Sequence, residues 1–192
     1  MKAPSHPLLP AARSRYSKQT RMNKVLARWN SLDPAAAARE ALPCCGSQAW
    51  AVALASKRPF KDTASVVETS GDVWFALPGA AWQEAFDSHP RIGQNHAQTA
   101  ATEKSLQWSA QEQRAALSTD EAAKHALVEA NRRYEQKFGR VFIVCATGKM
   151  SSEILAILET RMQNDASTEL HEAAEQQRQI TQLRLQRWLE SD

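Results

Sequence analysis

The chain has 192 residues, 43% of them hydrophobic and 23% charged, with a formal net charge of +3. That is the size of one domain with enough apolar material to bury a core, and no apolar run is long enough to span a membrane. The basic residues Lys2, Arg13, Arg15, Lys18, Arg21 and Lys24 fall in an N-terminal stretch without Asp or Glu, and the near-neutral remainder carries no nucleic-acid footprint.

Residues 1–21, with Pro4, Pro7, Pro10 and several serines, read as a disordered extension, and residues 22–192 as one helical domain. An acid-poor, Arg- and Ser-containing start resembles an organelle transit peptide. An extended start upstream of Met22 gives the same composition. From Asn23, Val25, Leu26, Trp29 and Leu32 follow helical spacing. Pro34 is placed to open the next helix, through Leu42, with a break expected over Pro43 to Ser47. Ser47 can cap a helix carrying Trp50, Ala51 and Leu54, which ends at Arg58-Pro59-Phe60. Asp62 is a cap for a segment with Val66, Val67, Val73, Trp74 and Phe75.

Pro78-Gly79 opens a helix through Trp82, Ala85 and Phe86 that must finish near His89-Pro90, because proline cannot continue it. Arg91 to Thr102 is loop-like, and Glu103 to Leu117 is helical. Ser118-Thr119-Asp120-Glu121 is a capping-box pattern before a helix with Leu127, Ala130 and Tyr134 that stops at Gly139. Val141 to Ala146 is strand-like but has no partner strand, so a buried extended segment or a helical turn is expected. After a turn at Thr147-Gly148-Lys149, Ser151 or Ser152 caps a helix through Ile154, Leu155, Leu158 and Met162. A last helix runs from about Ser167 to Leu189. The expected fold is all-α, a single irregular bundle of roughly eight helices.

Chemistry-bearing residues are few. Cys44, Cys45 and Cys145 are an odd number with two adjacent, which suits a reducing compartment such as the cytoplasm rather than a disulfide framework. No CxxC or HExxH pattern occurs, so no metal site is expected. His89 lies at a helix end. There it either complements the helix dipole as imidazolium or serves as an acid/base group tuned near neutrality. Ser109, Glu112 and Gln113 share a helix face, either solvated or supplying a hydroxyl, a carboxylate and an amide to a site. Arg161, with Asn164 close by, is a surface residue or a clamp for a carboxylate, and Arg91 is a second candidate for that clamp. Cys145 reads as inert core.

Several segments together resemble one family. They are Leu42-Pro43-Cys44-Cys45-Gly46-Ser47 with Trp50, Arg58-Pro59-Phe60, Ser88-His89-Pro90-Arg91-Ile92-Gly93 and Glu112-Gln113. Asn131, Tyr134, Phe138-Gly139, Val141 through Lys149, Glu153-Ile154-Leu155, Arg161, Asn164, Ile180-Thr181 and Leu183-Arg184-Leu185 complete the set. In order, they resemble the 2-oxo-4-hydroxy-4-carboxy-5-ureidoimidazoline (OHCU) decarboxylases of uric acid degradation. Gln94 and Met150 depart from the pattern. The resemblance implies an all-helical, cofactor-free and usually dimeric enzyme that converts OHCU to (S)-allantoin. It makes His89 the catalytic acid/base with Glu112 beside it. Pro90, Ser109, Gln113, Arg161 and the backbone of Val144, Cys145, Ala146, Thr147 and Gly148 would hold the ureidoimidazoline. Neither nucleic acid nor membrane is then a partner. A second reading is a helical interaction module whose basic N-terminus contacts nucleic acid or a membrane surface.

Overall fold

The structure, a computed structural model, describes residues 23–92, 101–114 and 121–191. Residues 1–22, Gly93, Gln94 and the Ser118-Thr119-Asp120 part of the capping-box pattern lie outside the described residues. Nine α-helices and no strand form among the described residues, in keeping with the all-α expectation. No helix among them is long and apolar enough to cross a membrane.

Local chemistry accounts for most boundaries. Helix α1 (Lys24–Ser31) starts where the Asn23 side chain accepts from the Leu26 N–H at 2.9 Å. Helix α2 (Pro34–Cys45) has Asp33 as its cap and proline in its first turn, where no intrahelical donor is lost. Ser47 caps α3 (Gln48–Ala55), and Asp62 with Ser65 forms a capping box on α4 (Thr63–Phe75). Helix α5 (Gly79–Asp87) ends just before Ser88-His89-Pro90. Thr102 caps α6 (Glu103–Glu112), and α7 (Glu121–Phe138) gives way to Gly139 at φ 67°. Helices α8 (Ser151–Arg161) and α9 (Ala166–Leu189) complete the chain, the latter capped by Asp165.

Three boundaries differ from expectation. Helix α6 ends at Glu112, with Gln113 as its C-cap, instead of continuing toward Leu117. Pro43 does not break α2, which continues to Cys45. A proline in the last turn forfeits one backbone bond, and the true stop is Gly46 at φ 87°, whose N–H bonds the Leu42 carbonyl at 2.8 Å. Helix α8 is preceded by Met150, not by a serine cap, and Ser151 is already its first residue. Glu153 Oε2 reaches back to accept from the Met150 N–H at 2.7 Å and occupies an otherwise orphaned donor.

The core divides in two. One cluster joins α1 to α5 with Trp108 of α6 and the apolar face of α9, and it contains five of the six tryptophans besides Trp108. The smaller cluster is formed by Leu127, Ala130, Tyr134 and Phe138 of α7 with Ile154 and Leu158 of α8. Val141 to Ala146 runs between them as the buried extended segment expected from its sequence. Its side chains alternate: Val141, Ile143 and Cys145 enter the first cluster, Phe142, Val144 and Ala146 the second. Period-two geometry thus lets six residues seal two cores without a sheet.

Candidate active site

At the seam of the two clusters lies a recess enclosing about 430 Å³ of atom-free space, part of it open to solvent. His89 and Pro90 reach it from the end of α5, and Ser109, Glu112 and Gln113 from the last turn of α6. Val144, Ala146 and Thr147 line it from the extended segment, and Ile180 and Leu183 from α9. Eight of the residues expected to act together therefore converge on one cavity. Phe142 and Ile143 line it as well, whereas Cys145 does not. Its side chain joins the larger core, while its N–H is taken by Gln176 Oε1 at 2.9 Å and its carbonyl by Lys149 Nζ at 2.7 Å. Gly148, at φ 78°, supplies the turn beyond the cavity.

The electrostatic centre is a buried ion pair. Arg184 Nε and Nη2 meet Glu112 Oε1 and Oε2 at 3.0 and 2.7 Å, a two-pronged contact with both side chains nearly excluded from water. Arg184 Nη2 also donates to Ser109 Oγ at 2.9 Å, and Arg187 lies 3.7 Å from Glu112. The guanidinium thereby holds two cavity-lining side chains in one geometry.

His89 is buried, and its Nε2 has no hydrogen-bond partner among the described residues. Burial pushes its pKa down to about 3, the positive charge of Arg184 adds to the fall, and Gln177 works against it. The ring is therefore neutral across the physiological range. This corrects both sequence-based expectations. It is neither an imidazolium complementing a helix dipole nor a group poised near neutrality, because loss of hydration outweighs the helix end.

Arg161 stands away from the cavity. Its guanidinium pairs with the fully buried Glu169 at 2.5 Å, donates to the Ile143 carbonyl at 2.7 Å and lies over the Phe142 ring. Asn164 and the Tyr134 hydroxyl also bond Glu169. This network anchors the extended segment from behind, so the expected carboxylate clamp is replaced by a structural tie. Arg91 is likewise engaged, by Glu135 at 2.5 and 2.7 Å.

Sequence reasoning passed over two residues of consequence, Arg184 and Gln177. Both lie on α9, as do Gln176 and Thr181, at positions that rotate one polar strip toward the cavity region. In sequence, Gln and Arg at such spacing look like a solvated face. The available signal was their interleaving with Ile180 and Leu185 in a long helix that must bury apolar residues on more than one side.

Comparison with known proteins yields a coherent set. Residues 30–186 match the OHCU decarboxylase family. The chain is 33% identical over 143 residues to the uric acid degradation bifunctional protein TTL of Arabidopsis thaliana, a match covering 74% of this chain and 44% of that protein. It is 31% identical over 137 residues to the 2-oxo-4-hydroxy-4-carboxy-5-ureidoimidazoline decarboxylase of Amia calva, covering 71% and 77%. The chain thus spans less than half of the bifunctional plant relative and most of the single-function one. Its fold is similar to the crystal structure of an OHCU decarboxylase in the presence of (S)-allantoin. There the TM-score is 0.69 and the identity 32%, over 79% of this chain and 98% of the other.

Proposed function

The chain belongs to the OHCU decarboxylase family, and on that premise we propose that it decarboxylates 2-oxo-4-hydroxy-4-carboxy-5-ureidoimidazoline to (S)-allantoin, a step of urate catabolism. One observation carries the reading: a neutral buried imidazole shares a cavity with an arginine-clamped carboxylate.

The substrate carries a carboxylate and a hydroxyl on one ring carbon, next to a C=N carbon. When the C–CO2 bond breaks, its electron pair forms a C=C bond to that neighbour, and the C=N pair moves onto nitrogen, which takes a proton. The hydroxyl then loses its proton as C=O forms, and the neighbouring carbon gains one. Starting from the carboxylate, one CO2 leaves and one proton is taken up overall.

The chain's part is orientation and proton handling. Neutral His89 accepts the hydroxyl proton and returns one to a single face of the intermediate. Glu112, held by Arg184, lines the same cavity. General acid-base help of this kind contributes about 10²–10⁴-fold, and fixed orientation adds to it. Gln113, Ser109, Pro90 and the backbone of Val144, Ala146 and Thr147 read the ring and ureido amides, while Cys145 and Gly148, also expected to do so, stand off the cavity. Arg161 is spent on Glu169 and Arg184 on Glu112, and neither lines the cavity, so the cationic role expected of Arg161 gives way to orientation by the groups that do line it. A homodimer in a reducing compartment is the assembly that the family resemblance and three free buried cysteines support.

The test is a coupled assay. Urate oxidase and the following hydrolase generate the substrate in place, and circular dichroism follows allantoin. The protein is expected to accelerate formation of the S enantiomer over the slow racemic background. Racemic product at the background rate would refute the assignment. The alternative of a helical binding module is not favoured, because it gives no reason for a buried His, Glu and Arg to meet at a cavity.

A further inference from the structure

The amide of Gln177 has no role in the steps above, yet its placement is tightly defined. The side chain is fully buried on α9. Its Nε2 donates to the Cys45 carbonyl at 3.3 Å and to the Thr181 hydroxyl at 3.2 Å. A carbonyl oxygen only accepts, so the nitrogen end must face Cys45 and the oxygen end must face elsewhere. Among the described residues that oxygen, Oε1, is a buried acceptor without a hydrogen bond, and His89 Nε2 is a buried ring nitrogen without one. Unpaired polar atoms of complementary type in one buried neighbourhood are costly unless they meet.

The anchor is tied to the histidine. Gly46 follows Cys45, and a Cβ built there would lie 2.0 Å from Ser88 Oγ. The turn that fixes Gln177 is therefore packed directly against the residue before His89. The Gln177 side chain lies close enough to the ring to raise its pKa, against burial and Arg184. The charged group that acts on the ring is Arg184 of α9, and Glu112 of α6 shares the cavity lining with it. Cys45 of α2 is a buried thiol pushed up to about 12 by desolvation, hence uncharged.

We propose that Gln177 is a positioning residue that sets the tautomer of His89. Its Oε1 accepts the N–H of the ring nitrogen that it meets and leaves the other nitrogen with its lone pair for the substrate proton. Cys45 and Thr181 prevent the amide from turning to present its donor end instead. A neutral imidazole with the two nitrogens exchanged would offer a donor where the reaction needs an acceptor. The inference rests on reading His89 as the group that moves the proton.

Nitrogen-15 NMR of histidine-labelled protein tests it without turnover, with the His89 signals assigned by their loss in His89→Asn. In the wild-type protein near neutral pH, His89 is expected to show one protonated and one bare nitrogen, a single tautomer. In Gln177→Met, which keeps shape and removes the acceptor, both tautomers should appear. Its kcat should fall by roughly tenfold or more, with KM changed much less. A mixed tautomer in the wild-type protein overturns the proposal even if the variant does not fold. A folded Gln177→Met with the wild-type spectrum and kcat overturns it as well. Because the spectrum needs no substrate, a protein inactive toward OHCU would sink the functional reading while the tautomer result stood.

Discussion

His89 shows how a single burial sets both chemistry and stability. An exposed imidazole titrates near 6.5, whereas the folded protein holds this one down to about 3. Between those values the unfolded chain binds a proton that the folded chain refuses. Stability therefore rises with pH across the window and is lost as pH falls through it, by something on the order of 4 kcal/mol in all. Urea unfolding at about pH 7 and about pH 5 should show a loss near 2 kcal/mol for the wild type, and a smaller one for His89→Asn. Equal pH dependence in the two proteins would show that the ring is not held neutral.

The two buried arginines separate by the same logic. Arg184→Met leaves Glu112 inside the cavity wall with only the longer contact to Arg187, and should cost about 3–5 kcal/mol. Adding Glu112→Leu should recover much of that stability and none of the activity. Arg161→Met should destabilise comparably by stranding Glu169, yet keep kcat within about tenfold of wild type where the variant stays folded, because it removes no cavity-lining group. Activity lost with Arg161 and kept without Arg184 would reverse the assignment. The sequence made His89 and Glu112 visible because a proline-stopped helix end and a helix face are local signals. Arg184 was legible only as part of a family pattern, because its meaning depends on a contact with a residue 72 positions earlier.

Among the helices, the caps Ser47 and Asp62 were legible, since each acts within three residues of itself, whereas the caps Asp33 and Thr102 were not singled out. Pro43 and Met150 were misjudged for a shared reason. The energy of a helix end is decided by which backbone groups still need partners, and Gly46 and Glu153 supplied what the nearer residue did not. Gly46 also couples an element boundary to the site. At φ 87°, with the Ser88 hydroxyl in the way of any Cβ, Gly46→Ala should cost about 1–3 kcal/mol. It should also lower kcat by displacing the segment that carries His89, as steady-state kinetics and thermal melts on one preparation would reveal. A fully stable, fully active Gly46→Ala would mean that the α2–α3 turn does not position the histidine.

Across the whole molecule, the extended segment between two helical cores is the organising device. Its six-residue apolar run was read as a buried extended segment or a helical turn, because a strand-like sequence without a partner cannot build a sheet, and the first of the two is what forms. Which side chains face the cavity followed only once two clusters stood on either side of it. The basic N-terminal stretch precedes the family match at residues 30–186. Removing residues 1–22 should leave kcat/KM for OHCU unchanged within about twofold, since the family match does not include them. A large loss on truncation would bring the extension into the catalytic unit.

The measurement that bears most directly on the account is the allantoin stereochemistry produced by His89→Asn in the coupled assay. The wild-type protein should give the S enantiomer well above background. The variant should lose about 10²–10⁴-fold in rate and return product that is largely racemic. An S-specific His89→Asn protein at the wild-type rate would contradict the assignment of proton handling to this buried, neutral ring.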